Sequence, residues 1–205
     1  MIKLIEPRRW IALLKTLYAW MDASQLWSHR IPIFSDVFLF TYPVYLLALY
    51  VYGMATRKFS YKLSAIFIFF GTLLSGVANI IIQFFFDKAR PNVILGLADL
   101  KHQNMFSQYL PSSSFPSDHA AVTMGIAFAS IVRWVKHKDK KYFRFGWILI
   151  IFSLITSFSR VTTAVHRPTD VIAGSIVGIA IPWLLMNKNI YNLVERLNKQ
   201  IGKII

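Results

Sequence analysis

At 205 residues the chain fits one domain. It is 56% hydrophobic with a mean hydropathy of +0.49, which excludes an ordinary soluble domain, and it has no cysteine, which excludes disulfides and thiolate-held metals. A formal net charge of +14 would point to nucleic acid in a soluble protein, but here the basic residues sit mostly in short loops between apolar runs, as loops facing anionic lipid headgroups do, so nucleic-acid binding is set aside.

Residues 1–30 mix Leu and Ile with Trp10, Tyr18, Trp20 and Trp27, and carry Arg8, Arg9 and Lys15. Trp and Tyr favour the membrane interface, and Lys15 would fall near mid-bilayer if the piece crossed. It reads as an amphipathic helix lying in the membrane surface, with a sixth span as the alternative. No cleavable signal peptide is expected, because Lys15 interrupts the apolar stretch and no small-residue cleavage site follows.

Apolar runs approaching the roughly 20 residues that cross a bilayer then follow in order. Ile33 to Ala55 is the first span, with Pro43 inside it, and a basic turn with Arg57, Lys58 and Lys62 comes next. Leu63 to Phe86 is the second; Asn79 and Gln83, four apart, share a face that should look into the protein. Asp87 to Phe115 is a long polar loop of the kind that is functional or mobile. Ser117 to about Val135 is the third span, rich in small residues, and Lys136 to Arg144 is strongly basic. The fourth begins at Phe145 and ends near Arg160; the fifth runs from Pro168 to Met186, with Gly174 and Gly178 spaced as G-x-x-x-G, a pattern for close helix packing. Residues 31–187 thus form an all-α transmembrane bundle of about five spans, and 188–205 a basic amphipathic tail.

The loops after spans one and three and the tail carry Arg57, Lys58, Lys62, Arg133, Lys136, Lys138, Lys140, Lys141 and Arg144, so that side is expected to be cytoplasmic. Arg90 ends span two, His119 begins span three, Arg160 ends span four and Asp170 begins span five. The unusual polar residues therefore converge on the opposite face. The N-terminal helix, with its own Arg8, Arg9, Lys15 and Arg30, fits this orientation least well.

Polar chemistry concentrates in Ser159–Asp170 (S-R-V-T-T-A-V-H-R-P-T-D), Arg90–Pro91 and Pro116-Ser117-Asp118-His119. Arginine stays charged, and its planar fork suits phosphate oxygens; Arg90 and Arg160 are assigned to that task, whereas Arg167 by itself reads as a helix-end residue snorkelling to headgroups. Ser117 is a natural N-cap, and a helix N-terminus offers free N–H groups to an anion. His119, in the first turn, can serve as general acid. Pro168 suits the first position of a helix, which puts Asp170 in its first turn. From there the carboxylate is expected to reach back to His166, fix its tautomer and sharpen the other ring nitrogen as a nucleophile, the alternative being simple complement of the helix dipole. Together these parts suit phosphoryl transfer through a phosphohistidine, with the arginines and N–H groups holding the developing charge. Carboxylates are too few and scattered for a metal cluster, so metal-independent catalysis without a cofactor is expected.

These motifs resemble those of the type 2 phosphatidic acid phosphatase (PAP2) superfamily, whose fold is shared with vanadium haloperoxidases. The family pattern is K-x6-R-P, then P-S-G-H, then S-R-x5-H-x3-D. The third part is present through Ser159, Arg160, His166 and Asp170; the second as Pro116, Ser117 and His119, with Asp118 in place of glycine; the first only as Arg90 and Pro91, with Gln83 where lysine is usual. The resemblance covers about residues 33–187. It implies His166 as nucleophile, His119 as acid, and Arg90, Ser117 and Arg160, with Asp118 beside them, around the phosphate. The F-P-S-D-H form, the missing lysine, the short chain and the N-terminal helix look like the bacterial undecaprenyl diphosphate phosphatases of this superfamily. Gln83 can donate a hydrogen bond but no charge, and the extra charge of a diphosphate would be met by Lys88 or Arg167.

The expected function is hydrolysis of undecaprenyl diphosphate to the monophosphate, on the outer face of a bacterial inner membrane. The alternatives are a phosphatase of another lipid (phosphatidylglycerol phosphate, phosphatidic acid or a lipid A phosphate) and a non-catalytic transporter or structural membrane protein. A haloperoxidase is set aside, because soluble enzymes of that type would not need these spans. The bilayer and the lipid phosphate are the expected partners; oligomeric state has no signature in the sequence.

Overall fold

The computed structural model describes residues 2–3, 8–97 and 113–204. In chain order the elements are β1 (Ile2–Lys3), α1 (Arg8–Asp22), α2 (Gln25–Ala55), α3 (Phe59–Gln83), β2 (Phe86–Asp87), α4 (Pro91–Ile94), α5 (Asp118–His137), α6 (Lys140–Thr162), α7 (Pro168–Leu184) and α8 (Lys188–Ile204). The two short strands pair in parallel, Ile2 with Phe86 and Lys3 with Asp87. Residues 98–112 of the long polar loop lie outside the described residues.

Helix α5 is the centre of the bundle. Its small side chains Ala120, Ala121, Ala127 and Ala129 are fully enclosed, which lets α3, α6 and α7 approach it closely. Phe67, Ile126, Val132, Leu149 and Leu185 fill the core between these helices. The outward faces are apolar too: Phe40, Leu47, Leu154 and Ile176 are exposed. Such a surface suits lipid rather than water as its solvent.

Among the described residues three helices, α2, α3 and α6, are long and apolar enough to cross a membrane; a fourth crossing arises if α7 and α8, bent by 83° at their junction, count as one. Helix α5 is less apolar, and α7 has only 17 residues. Helix α2 begins at Gln25, eight positions before the expected span, and runs through Pro32 and Pro43. At about 1.5 Å per residue it is about 46 Å long, more than the roughly 30 Å of a hydrocarbon core. It also passes through residue 30, so no break separates an N-terminal unit there.

The first helix is shorter than expected and is docked rather than free. Leu14 is buried against Ala120, Val161 and Val171, which seats α1 at the end of the bundle where α6 finishes and α5 and α7 start. Polar turns close the other end. Lys138 takes a left-handed conformation (φ 58°) that ends α5, and the Asp139 side chain caps α6 by accepting from the Lys141 backbone at 2.9 Å. Arg133, wholly buried, donates to Ser64, Tyr191 and Glu195 and so ties α3 and α8 to α5.

The G-x-x-x-G pair works as the spacing suggests. A Cβ on Gly174 would lie 2.3 Å from the Ser117 carbonyl oxygen, and one on Gly178 would lie 2.5 Å from that of Ala121. Close approach of α7 to the start of α5 therefore needs hydrogen at position 174. Gly174→Ala is expected to destabilise the protein by about 1–3 kcal/mol through overpacking. The displaced atom belongs to Ser117, so the start of α5 should shift as well; thermal unfolding in detergent checks the loss of stability.

Candidate active site

Four chain segments meet at the α1 end of the bundle, and backbone hydrogen bonds join them. Ser114 N donates to the Lys88 carbonyl (2.7 Å), Asn92 N to that of Ala164 (2.8 Å), and Ser117 N to that of Asp170 (3.0 Å). The turn after α6 folds back on itself, with His166 N donating to the Arg160 carbonyl at 3.1 Å and Ala164 at φ 54°. A left-handed alanine is uncommon, and this one sits in the turn that aims His166.

His166 is buried. Its Nδ1 lies 2.9 Å from the Ser114 carbonyl oxygen. A carbonyl only accepts, so Nδ1 carries the proton and Nε2 of the neutral ring keeps its lone pair. Arg90 Nη1 lies 3.4 Å from that Nε2. Burial pushes the His166 pKa well below its ordinary value; the positive charges of Arg160 and Arg90 and the proximity of His119 add to the depression, against the Ser114 carbonyl, which opposes it. The neutral ring is thus the resting form near neutrality. Burial is also the main influence on Arg90, lowering its pKa, while Asp118 and Asp170 counter it.

This depression has a definite sign for stability. Below about pH 6.5 the unfolded chain takes up a proton that the folded ring resists, so His166 contributes a loss of stability that grows as pH falls from there. Were this ring the nucleophile, the acid limb of kcat/KM would fall below pH 6.5, and a pH–rate profile of the purified protein measures it.

Asp170 does not take the position expected for it. Its Oδ2 is 3.9 Å from His166 Nδ1, beyond a hydrogen bond, and accepts instead from the Arg167 backbone at 2.9 Å, capping α7. Its Oδ1 pairs with Lys88 Nζ at 2.6 Å, both side chains being buried. The tautomer of His166 is set by the Ser114 carbonyl, an acceptor that any residue type supplies and that sequence therefore does not mark.

Lys88 and Arg167 are correspondingly engaged within the protein. Lys88 also donates to Thr169 at 3.2 Å, and Arg167 Nη1 donates to the Ala89 carbonyl (2.9 Å) and Ser114 Oγ (3.3 Å). These bonds hold together the segments that carry Arg90, Ser114 and His166, and the geometry does not offer either cation to a second phosphate. Arg167 is buried, so the expectation that it snorkels to headgroups is not met.

The two departures from the family pattern touch each other. Gln83 Nε2 donates to Asp118 Oδ1 (2.7 Å) and to the Pro116 carbonyl (2.8 Å), and Asn79 Nδ2 does the same at 2.8 and 3.2 Å. Their shared face looks inward, as the spacing of four indicates. Two neutral amides therefore hold the carboxylate that replaces glycine, and Gln83 is committed to Asp118 and Pro116 rather than turned to a phosphate. Asp118 sits in the first turn of α5, where its negative charge complements the helix dipole.

Ser117 occupies the N-cap position of α5 but makes no capping bond with its side chain. Its Oγ is buried without a hydrogen-bond partner. Leaving a buried hydroxyl unsatisfied costs about 1–3 kcal/mol, and a donor of this kind at a helix start suits an anion. His119 follows in the first turn of α5, and Arg160 closes α6, both buried. Among the described residues no group of three or more His, Cys, Asp or Glu side chains is placed to hold a metal.

The buried neutral imidazole beside Arg90 and the unpartnered N-cap hydroxyl at the start of α5 mark this end of the bundle as the candidate anion site. The PAP2 superfamily profile matches residues 64–193, and the chain belongs to that superfamily. Two curated relatives are similar to it. One is the undecaprenyl-diphosphatase BcrC of Bacillus subtilis (strain 168), 28% identical over 165 residues, covering 77% of this chain and 76% of the relative. The other is the bacitracin transport permease protein BcrC of Bacillus licheniformis, 28% identical over 144 residues, covering 69% of this chain and 64% of the relative. No solved structure matches the chain with significance. Family membership and these likenesses together support a lipid phosphatase in a membrane.

Proposed function

We propose that the protein removes the terminal phosphate of undecaprenyl diphosphate through a phosphohistidine intermediate, without a metal. The observation that carries this reading is the His166 ring: Nδ1–H is given to the Ser114 carbonyl, and Nε2 is left neutral beside Arg90. In the first step the Nε2 lone pair attacks the terminal phosphorus. The bond from phosphorus to the bridging oxygen breaks, and His119 gives that oxygen a proton as the lipid monophosphate leaves. Arg90, Arg160, the Ser117 hydroxyl and the first N–H groups of α5 receive the equatorial oxygens. In the second step His119 takes a proton from water, the hydroxide attacks phosphorus, and inorganic phosphate leaves a neutral His166.

Asp118 acts in this scheme by fixing the start of α5 through Asn79 and Gln83, and Asp170 by holding the Lys88–Arg90 segment and the start of α7. The first relative's name supports the diphosphate as substrate. Five membrane crossings by α2, α3, α5, α6 and α7 would bring the site to one face. The basic turns at the other end of the bundle support a cytoplasmic placement of that end, and hence a site on the outer face of a bacterial plasma membrane.

The test is phosphate release by the purified protein from undecaprenyl diphosphate, phosphatidylglycerol phosphate, phosphatidic acid and a lipid A phosphate, with and without chelator. Preferred turnover of the diphosphate, unchanged by chelator, is expected. A preference for a monoester would move the assignment to another lipid, and chelator sensitivity would remove the metal-free mechanism. A transport reading is favoured only by the second relative's name; absence of phosphate release from every substrate would support it.

A further inference from the structure

We propose that a groove between α2 and α6, at the end of the bundle away from His166, binds one chain of an anionic phospholipid with its phosphate on Lys141 and Arg144. The groove has a volume of about 700 Å³. Val44, Tyr45, Leu149 and Phe152 line its apolar length, with Tyr45 and Leu149 buried at its base. It follows α6 from Lys141 to Phe152, about 17 Å at 1.5 Å per residue, close to half of a bilayer core of about 30 Å. That length suits a single chain from the leaflet on the basic side.

Charge at the mouth selects the occupant. Lys141 and Arg144 are exposed and three residues apart, hence on one face of α6. Lys141 does not trail into water. Its Nζ donates to Tyr52 Oη at 2.9 Å and lies 4.5 Å from the Tyr52 ring centre and 5.3 Å from that of Tyr61. The one carboxylate described at the mouth, Asp139, accepts from Tyr61 Oη (2.6 Å) with one oxygen and from the Lys141 backbone (2.9 Å) with the other, and among the described hydrogen bonds neither oxygen accepts from the Lys141 ammonium. An apolar slot with two cations at its mouth, one of them held by Tyr52, complements a chain ending in an anionic headgroup, and a zwitterionic headgroup answers it less well.

The site is separate from the catalytic one, so its failure would leave the phosphatase reading intact. Full-length protein is reconstituted in vesicles of equal parts phosphatidylglycerol and phosphatidylcholine and re-extracted, and the retained lipid is counted per protein by mass spectrometry. Wild-type protein is expected to retain phosphatidylglycerol selectively. The K141Q/R144Q variant should lose that retention about tenfold, with phosphatidylcholine unaffected, and K141R/R144K should restore it. Ala48→Trp, which fills the groove and leaves both cations, should lower retention of phosphatidylglycerol as well. Equal retention by wild type and K141Q/R144Q, or full retention by Ala48→Trp, would overturn the proposal. So would a dimer, seen by light scattering, that Ala48→Trp dissociates, since a second copy would then be the occupant.

Discussion

His166→Ala is expected to lower lipid phosphate hydrolysis by about 10⁴-fold or more, because it removes the proposed nucleophile itself rather than a contact to it. His119→Ala should cost less, about 10²–10⁴-fold, the usual range for loss of a general acid. The difference is instructive. Without His119 the leaving group departs unassisted, and the second step loses its base, so a phosphorylated enzyme should build up. Without His166 there is nothing to phosphorylate. Neither substitution should unfold the protein: the His166 side chain contacts only the Ser114 carbonyl and Arg90 among the hydrogen bonds described, and His119 lies at a helix start. Phosphate release measured beside thermal unfolding separates the chemical loss from a structural one.

The second large effect is structural and falls on Lys88. Lys88 and Asp170 are both buried, and their 2.6 Å contact spans 82 positions of sequence. Removing one partner of such a pair strands the other charge and costs about 3–5 kcal/mol. Lys88→Met is therefore expected to lower the unfolding temperature markedly. Among molecules that remain folded, the proposed preference for diphosphate over monophosphate should be unchanged. Had Lys88 been a contact for a second phosphate, the opposite pattern would follow, with near-normal stability and a raised KM for the diphosphate alone. Asp170→Asn should also destabilise, since it weakens the ion pair with Lys88. Its neutral amide still has an oxygen to cap the Arg167 backbone N–H, so a part of the cap survives.

Much of this molecule could be read from residue order, for physical reasons that name themselves. A bilayer-facing helix must be apolar along its length, so α3 and α6 stand out as runs. Helix starts carry chemical signatures, and Pro168 and Ser117 mark α7 and α5. Asn79 and Gln83 share an inward face because 3.6 residues make a turn, and Gly174 is glycine because the Ser117 carbonyl leaves no room for more. The start of α2 is less legible: residues 25–30 are expected in the N-terminal interfacial helix, whereas α2 includes them and runs on through Pro32.

The partner of each polar group was much less legible. Which carboxylate Lys88 meets depends on how α3 and α7 are placed, and no spacing rule reaches across 82 residues. His166 and Asp170 stand four apart, yet the chain between them turns into α7, and the carboxylate goes to the helix end instead of the ring. The group that orients His166 is a main-chain oxygen of Ser114, which has no side-chain signature. The pairing of Gln83 with Asp118 also needed coordinates, although each was visible as a departure from the family pattern.

Rapid acid-free quenching of the purified protein with ³²P-labelled undecaprenyl diphosphate, followed by peptide mapping, bears most directly on the proposed nucleophile. The label is expected on His166, as an acid-labile, base-stable phosphoramidate that accumulates in His119→Ala and is missing in His166→Ala. Turnover with no protein-bound phosphate in His119→Ala, or label that persists in His166→Ala, would contradict it.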